Sequence, residues 1–249
     1  MRALRPLLAF TGAWLVVTSH ATIAQTPAVP DITGSWLRQG FTVGVRPSGQ
    51  QGPAPPPAAP PPPLKQPYLK EWQDRIQQIR EADAKGQPIA TNAVACLPEG
   101  MPGMMTATFP MEILQSRGQI TIIEEAYTQV RRILMDRPQK ALDDLEPGFY
   151  GHSVGRWEGD TLVVDTTQFA EHKQGNAQGG LPSGPRKHLV ERFNVSDDRK
   201  HLDYAIVLED PDYLAEPVTY RSQWDYRPDL EPTGLKCDLE VARRFLSQD

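Results

Sequence analysis

Cysteine is scarce in this chain: 249 residues contain two, Cys96 and Cys237. That rules out a disulfide-dense scaffold, and without a paired C-x-x-C spacing it also argues against a structural zinc motif. Positive charge is short as well, with 26 Lys and Arg against 31 Asp and Glu and a formal charge of -5, so nucleic acid is excluded as the expected partner. The five histidines include no metal-triad spacing: His172, His188 and His201 are too scattered, and no metal site is expected. Gly155 and Gly159 flank Arg-Trp-Glu with no helix to follow, so a phosphate cradle and a dinucleotide fingerprint are both missing and no cofactor is expected. Beyond the first two dozen residues, no apolar run is long enough to cross a bilayer.

What the N-terminus does hold is a basic start (Arg2, Arg5), an apolar stretch from Leu7 to Val17 and small residues near Ala24. This pattern reads as a secretory signal peptide over residues 1–24, which places the mature chain in the periplasm or outside the cell with no stable membrane insertion. In such a compartment Cys96 and Cys237 read as a disulfide pair, with two buried free thiols or a metal site as the alternatives. Oligomeric state is not legible.

Residues 25–92 read as an N-terminal region, with a first strand opening at Asp-Ile-Thr-Gly-Ser-Trp, a Pro-rich linker and a helix. The stretch 53–63 contains eight prolines, each removing a backbone donor and fixing φ, so it is expected to be an extended spacer. Tyr68, Leu69, Trp72, Ile76 and Ile79 recur at three- and four-residue spacing, predicting one amphipathic helix over about 67–84 that Gly86 and Pro88 stop. Residues 93–249 form the expected main domain. Its opening segment, CLPEGMPGMMTATFP, reads as an irregular Gly/Pro/Met loop. From Met111 the period becomes two, and strands are expected near 111–116, 119–126, 127–135, 151–157, 160–167, 187–195, 201–210, 217–226 and 235–242. No helix-length segment separates them, so parallel pairing is disfavoured and the fold class is mainly β, an antiparallel barrel.

Gly34-Ser35-Trp36 resembles the Gly-X-Trp that opens the first strand of lipocalin-like (calycin-like) barrels, in which the Trp closes the barrel floor. The set CLPEGMP, VRRILMD, GHSVGRWEGDTLVVDT, LVERF and LDYAIVLEDPDYL, with a late Cys before an acidic residue, resembles a recurrent family of secreted bacterial proteins over roughly residues 94–240. That resemblance implies export and no particular reaction. The chain departs from the pattern twice: at GGLPSGPRKHLVERF, where such proteins usually carry a Gly-X-X-His-Ser step, and at YLAEPV, where they carry Pro-Trp.

Strand parity then selects the inward side chains. Ile120, Ile122 and Glu124 share one face, as do Leu189, Glu191 and Phe193, so each set brings a carboxylate inward. Leu202, Tyr204, Ile206 and Leu208, ending at Asp210, together with Val218, Tyr220, Ser222, Trp224 and Tyr226, make an aromatic wall. Asp165 stays ambiguous, because Thr161, Val163 and Asp165 alternate with the equally apolar Leu162 and Val164. Arg131, Arg132, Arg156 and Arg192 are the cations available to an inward carboxylate.

The expected function is binding of a small, partly hydrophobic organic molecule in a barrel cavity, with Tyr204, Tyr220, Trp224, Tyr226, Arg156, Asp165 and Asp210 as contacts. The alternative is a cofactor-free acid/base enzyme, a lyase, isomerase or hydratase, using Glu191, Glu124 and His152. A third reading is a cell-envelope interaction protein using the Pro-rich arm and helix.

Overall fold

The computed structural model describes residues 29–39, 61–87, 89, 96–141, 146–176, 180–234 and 236–244. The expected signal peptide and most of the Pro-rich spacer lie outside these residues.

Eleven strands run along the described chain: β1 (Gly34–Arg38), β2 (Met111–Ser116), β3 (Gln119–Glu124), β4 (Gln129–Met135), β5 (His152–Glu158), β6 (Thr161–Thr167), β7 (His172–Asn176), β8 (Leu181–Ser183), β9 (His188–Val195), β10 (His201–Glu209) and β11 (Val218–Tyr226). Nine of them close a barrel in the order β1-β11-β10-β9-β6-β5-β4-β3-β2. The other two, β7 and β8, form a separate antiparallel pair that was not expected from the sequence. Eight of the nine barrel pairings are antiparallel. The ninth corrects the expectation: β4 and β5 run parallel, with Ile133 opposite Ser153 and Met135 opposite Gly155. The connection spanning 136–151 carries the chain back to the starting end with no helix among its described residues, so the lack of a helix-length segment did not exclude a parallel pair.

Alternation builds the interior. Along β3 the burial pattern puts Ile120, Ile122 and Glu124 inside, and along β10 it buries Leu202, Tyr204, Ile206 and Leu208. Trp36 is buried on β1 and donates from its indole nitrogen to Ile32 O at 3.0 Å. Gly155 sits where a Cβ would fall 2.8 Å from Ile133 and 2.9 Å from Met135, so only glycine lets β4 and β5 approach at this point.

Three helices among the described residues decorate the barrel. α1 (Tyr68–Ala84) falls where the periodicity put it, yet none of its residues is fully buried, and only Tyr68, Leu69 and Trp72 pack onto the core. The segment expected as a loop contains α2 (Gly100–Thr106), kinked at Met101, whose backbone is extended, and it buries Met101, Met104 and Met105 together with Gly100 and Gly103. The strand expected over 235–242 is replaced by α3 (Leu239–Arg243), because Asp238 caps it by accepting from the amides of Glu240 and Val241. The Cys96–Cys237 disulfide is formed, with Cα atoms 5.6 Å apart. No helix among the described residues is long and apolar enough to cross a membrane.

Candidate functional site

Two polar clusters interrupt the apolar interior. The first lies along the inner wall of five adjacent strands. Arg131 on β4 is 1 % exposed and Glu191 on β9 is 0 % exposed. The guanidinium donates from Nη1 to Glu191 Oε1 at 2.8 Å and from Nη2 to Glu191 Oε2. It also donates to Ser153 Oγ from Nε at 3.1 Å and from Nη2 at 3.0 Å, and to Thr166 Oγ1 at 3.0 Å. Tyr204 on β10 donates its hydroxyl to Glu191 Oε1 at 2.8 Å. Burial acts to lower the Arg131 pKa, but the adjacent Glu191 carboxylate outweighs it and the guanidinium ends above its ordinary value. The Tyr204 phenol is held far up, by burial first and by Glu191 second. With both oxygens occupied by three donors, Glu191 is a partner in a satisfied network rather than a free base.

The second cluster is incomplete. Glu124, at the inward end of β3, is 0 % exposed. Its Oε2 accepts from Gln129 Nε2 at 2.6 Å, whereas Oε1 is buried with no hydrogen-bond partner. Glu99, at the N-cap of α2, turns a second unpartnered buried oxygen, Oε2, into the same neighbourhood. Gln129 ties the cluster together, its Oε1 accepting from Gly100 N at 3.3 Å and from the Tyr150 hydroxyl at 3.1 Å. Burial, then repulsion from Glu99, pushes the Glu124 carboxyl up to about 9, so it is protonated at neutral pH. Glu99 is raised by burial as well. Tyr150 is pushed up to about 12 by burial and by both carboxylates, and Tyr127 rises for the same reasons. A neutral carboxylic acid beside a second carboxyl and two phenols can donate and accept hydrogen bonds at one point.

The Glu124 shift predicts a pH dependence. Its carboxyl binds a proton more tightly in the fold than at the ordinary 4.5, so the stability it contributes is complete below about 4.5 and is lost as pH rises toward about 9. Lys187, taken down by burial to about 7, titrates in the same range, so the test is a difference. The stability of wild type relative to Glu124→Gln, from urea unfolding at several pH values, falls between pH 5 and 9 by at most about 1.4 kcal/mol per unit. A difference that stays flat contradicts a protonated Glu124.

The remaining residues singled out from sequence scatter. His152 is half-buried, and its Nδ1 contacts Gln139 Oε1; burial, then Lys140, lowers its pKa. Asp165 lies outside the lumen, answering the ambiguity of β6: its Oδ2 is 2.8 Å from His188 Nε2 and its Oδ1 accepts from Gln139 Nε2 at 3.0 Å. His188 is held above its ordinary value, its burial being outweighed by the Asp165 and Glu209 carboxylates. Arg156 is exposed and pairs with Glu158. Tyr226 is 37 % exposed and tilts against Trp36 at 5.3 Å between centroids. Trp224 is buried and donates to Ser222 Oγ at 3.2 Å, while Tyr220 is half-buried against the core. Asp210 accepts from Gly184 N at 2.7 Å and Asp212 N at 3.1 Å. Glu124, Glu191 and His152 therefore occupy three separate hydrogen-bond networks.

Sequence reasoning missed Glu99, Gln129, Tyr150 and Lys187. The Lys187 amine is buried, donating to Met101 O at 2.7 Å and lying 4.0 Å from the Phe169 ring centroid. Burial takes it down to about 7 against the pull of Asp210. It fastens α2 at Met101, the residue after the Gly100 amide that Gln129 holds. Among the described residues no cluster of His, Cys, Asp and Glu is arranged to hold a metal ion. No protein-family model matches this chain, and no curated protein matches it closely enough to count as a relative.

Proposed function

We propose that this chain is an exported, lipocalin-like β-barrel that binds a small, partly hydrophobic organic molecule, with Glu124 and Glu99 as its polar anchor. The observation that carries this reading is the fully buried Glu124 Oε1 with no hydrogen-bond partner, beside a second such oxygen on Glu99. Leaving a buried polar atom unpaired costs about 1–3 kcal/mol, a cost that a ligand's own donor or acceptor removes. The ligand that fits offers an acceptor to the Glu124 hydroxyl and a donor to the Glu99 carboxyl, as a primary amide or a hydroxy-ketone does. Glu99, Tyr127 and Tyr150, each part-exposed, form its approach from solvent. Export is supported by the disulfide and by the basic-then-apolar N-terminus.

A second reading rests on the same residue. A carboxyl pushed up to about 9 next to a second carboxyl can hand over and recover a proton, the requirement of a cofactor-free isomerase, lyase or hydratase. A fragment library containing primary amides and hydroxy-ketones, screened by ligand-observed NMR, tests both. Binding is expected in wild type and lost in Glu124→Leu. Incubation of the bound fragments in D2O, read by mass spectrometry, then separates the readings. Deuterium incorporation that Glu124→Gln abolishes while binding persists establishes proton transfer; binding without exchange or turnover leaves a carrier. Fragments that bind wild type and Glu124→Leu alike overturn the site itself.

A further inference from the structure

A groove of about 430 Å3 lies outside the barrel between α1 and the β7–β8 pair, independent of the Glu124 cluster. That volume falls within the range of small-molecule sites. Tyr68 and Trp72 supply flat, half-buried aromatic surface on the α1 side, and Gly180 and Pro182 close the opposite side without polar side chains. The charges are the informative part. Arg75 on α1 and Lys173 on β7 line the groove from facing walls, and neither forms an ion pair with any described residue. Glu71 lines it too; although it stands one helical turn from Arg75, it makes no ion pair with it or with any other described residue. Asp74, the other acid here, is already held by Lys70 at 2.7 and 2.9 Å. The groove therefore presents two uncommitted cations and one uncommitted carboxylate around an aromatic surface.

We propose that this groove is a second binding site, for a small zwitterion with a flat apolar body, the chemistry an aromatic amino acid presents. The ligand's carboxylate is held between Arg75 and Lys173, its ammonium faces Glu71, and its ring lies on Trp72 and Tyr68. A purely anionic ligand leaves Glu71 opposing it, and a cation meets Arg75 and Lys173; only a molecule carrying both charges uses all three side chains. Arg75 also bears on His172, next in sequence to Lys173; the His172 imidazole is lowered by its burial first and by Lys187 and Arg75 after it, so an anion bound at Arg75 relieves part of that repulsion.

The test uses three probes on the full chain: L-phenylalanine, 3-phenylpropionate, which lacks the ammonium, and phenethylamine, which lacks the carboxylate. Isothermal titration is expected to give saturable binding in the order phenylalanine, then phenylpropionate, then phenethylamine. Arg75→Gln and Lys173→Gln each weaken phenylalanine and phenylpropionate about tenfold, the loss of one charge-assisted hydrogen bond, and leave phenethylamine unchanged. Glu71→Gln weakens phenylalanine while improving phenylpropionate. Trp72→Ala weakens all three, and Glu124→Gln weakens none, so failure of the groove site is distinguishable from failure of the barrel site. Glu71, Arg75 and Lys173 are partly or fully exposed and stand outside the core, so their variants retain the fold, whereas Trp72→Ala, at a side chain that packs on the core, is read only where its unfolding transition shows it folded. No saturable binding at millimolar concentration, or phenylalanine binding no tighter than phenylpropionate, overturns the proposal.

Discussion

Replacing Glu191 by leucine lowers the stability of this protein by about 3–5 kcal/mol, and Arg131→Met alone costs a similar amount, whereas the double variant Arg131→Met/Glu191→Leu recovers most of the loss. The reason is asymmetry. Arg131 and Glu191 are withdrawn from water by the closed barrel, and each is compensated chiefly by the other, with Ser153, Thr166 and Tyr204 completing the set. Removing one partner leaves a buried charge that neither solvent nor the apolar neighbours can answer. Removing both leaves two apolar side chains of comparable bulk in an apolar barrel. For a chain of this size the single losses correspond to roughly 6–20 °C in melting temperature. A double-mutant cycle by urea unfolding at neutral pH measures the coupling. If the two single losses simply add, the two side chains are energetically independent and the network is not the unit described here.

The same asymmetry separates the two inward carboxylates, which the sequence alone presented as equivalents. Parity along KHLVERFNV and QITIIEEAY put Glu191 and Glu124 inside, and both are fully buried. What parity could not supply was the partner. Arg131 reaches Glu191 across β5 and β6, a contact decided by the parallel β4–β5 pairing, which no local pattern announces. Glu124 meets Glu99 because Gln129 ties the start of α2 to β4, and α2 hid within a Gly- and Pro-rich stretch with no continuous helical period, its Met101 being extended. Asp165 was ambiguous for a different reason. Val163, on the outer face of β6, is as buried as Val164 on the inner face, which erases the polar alternation by which parity is read. Strand positions and α1 were legible because period two and period 3.6 are local properties. Asp238 was the exception among local signals: its capping role turned a run of Leu and Val into helix where β propensity pointed to a strand.

The disulfide carries the other large effect. Cys96→Ser/Cys237→Ser is expected to lose about 4–5 kcal/mol, because the bridge closes a loop across a sequence separation of 141 residues and so removes much of the entropy of the unfolded chain. Urea unfolding with and without reductant measures it: reductant shifts the wild-type midpoint down to that of the double-Ser variant and leaves the variant where it is. Thiol titration of the unreduced wild type finds no free thiol. The bridge also has a local consequence, since Cys96 lies three residues before Glu99 and Cys237 belongs to the C-terminal stretch that returns past the β3–β4 end, where Thr233 meets Glu125. It therefore pins the start of α2 while Gln129 and Lys187 hold Gly100 and Met101. Releasing that pin lets Glu99 withdraw toward water, which removes part of the repulsion that keeps Glu124 protonated. The pH at which Glu124 loses its proton, followed by its carboxyl infrared band against Glu124→Gln, should thus fall in the double-Ser variant. A Glu124 titration unmoved by loss of the bridge, together with an unchanged unfolding midpoint, contradicts both the global and the local role assigned to it.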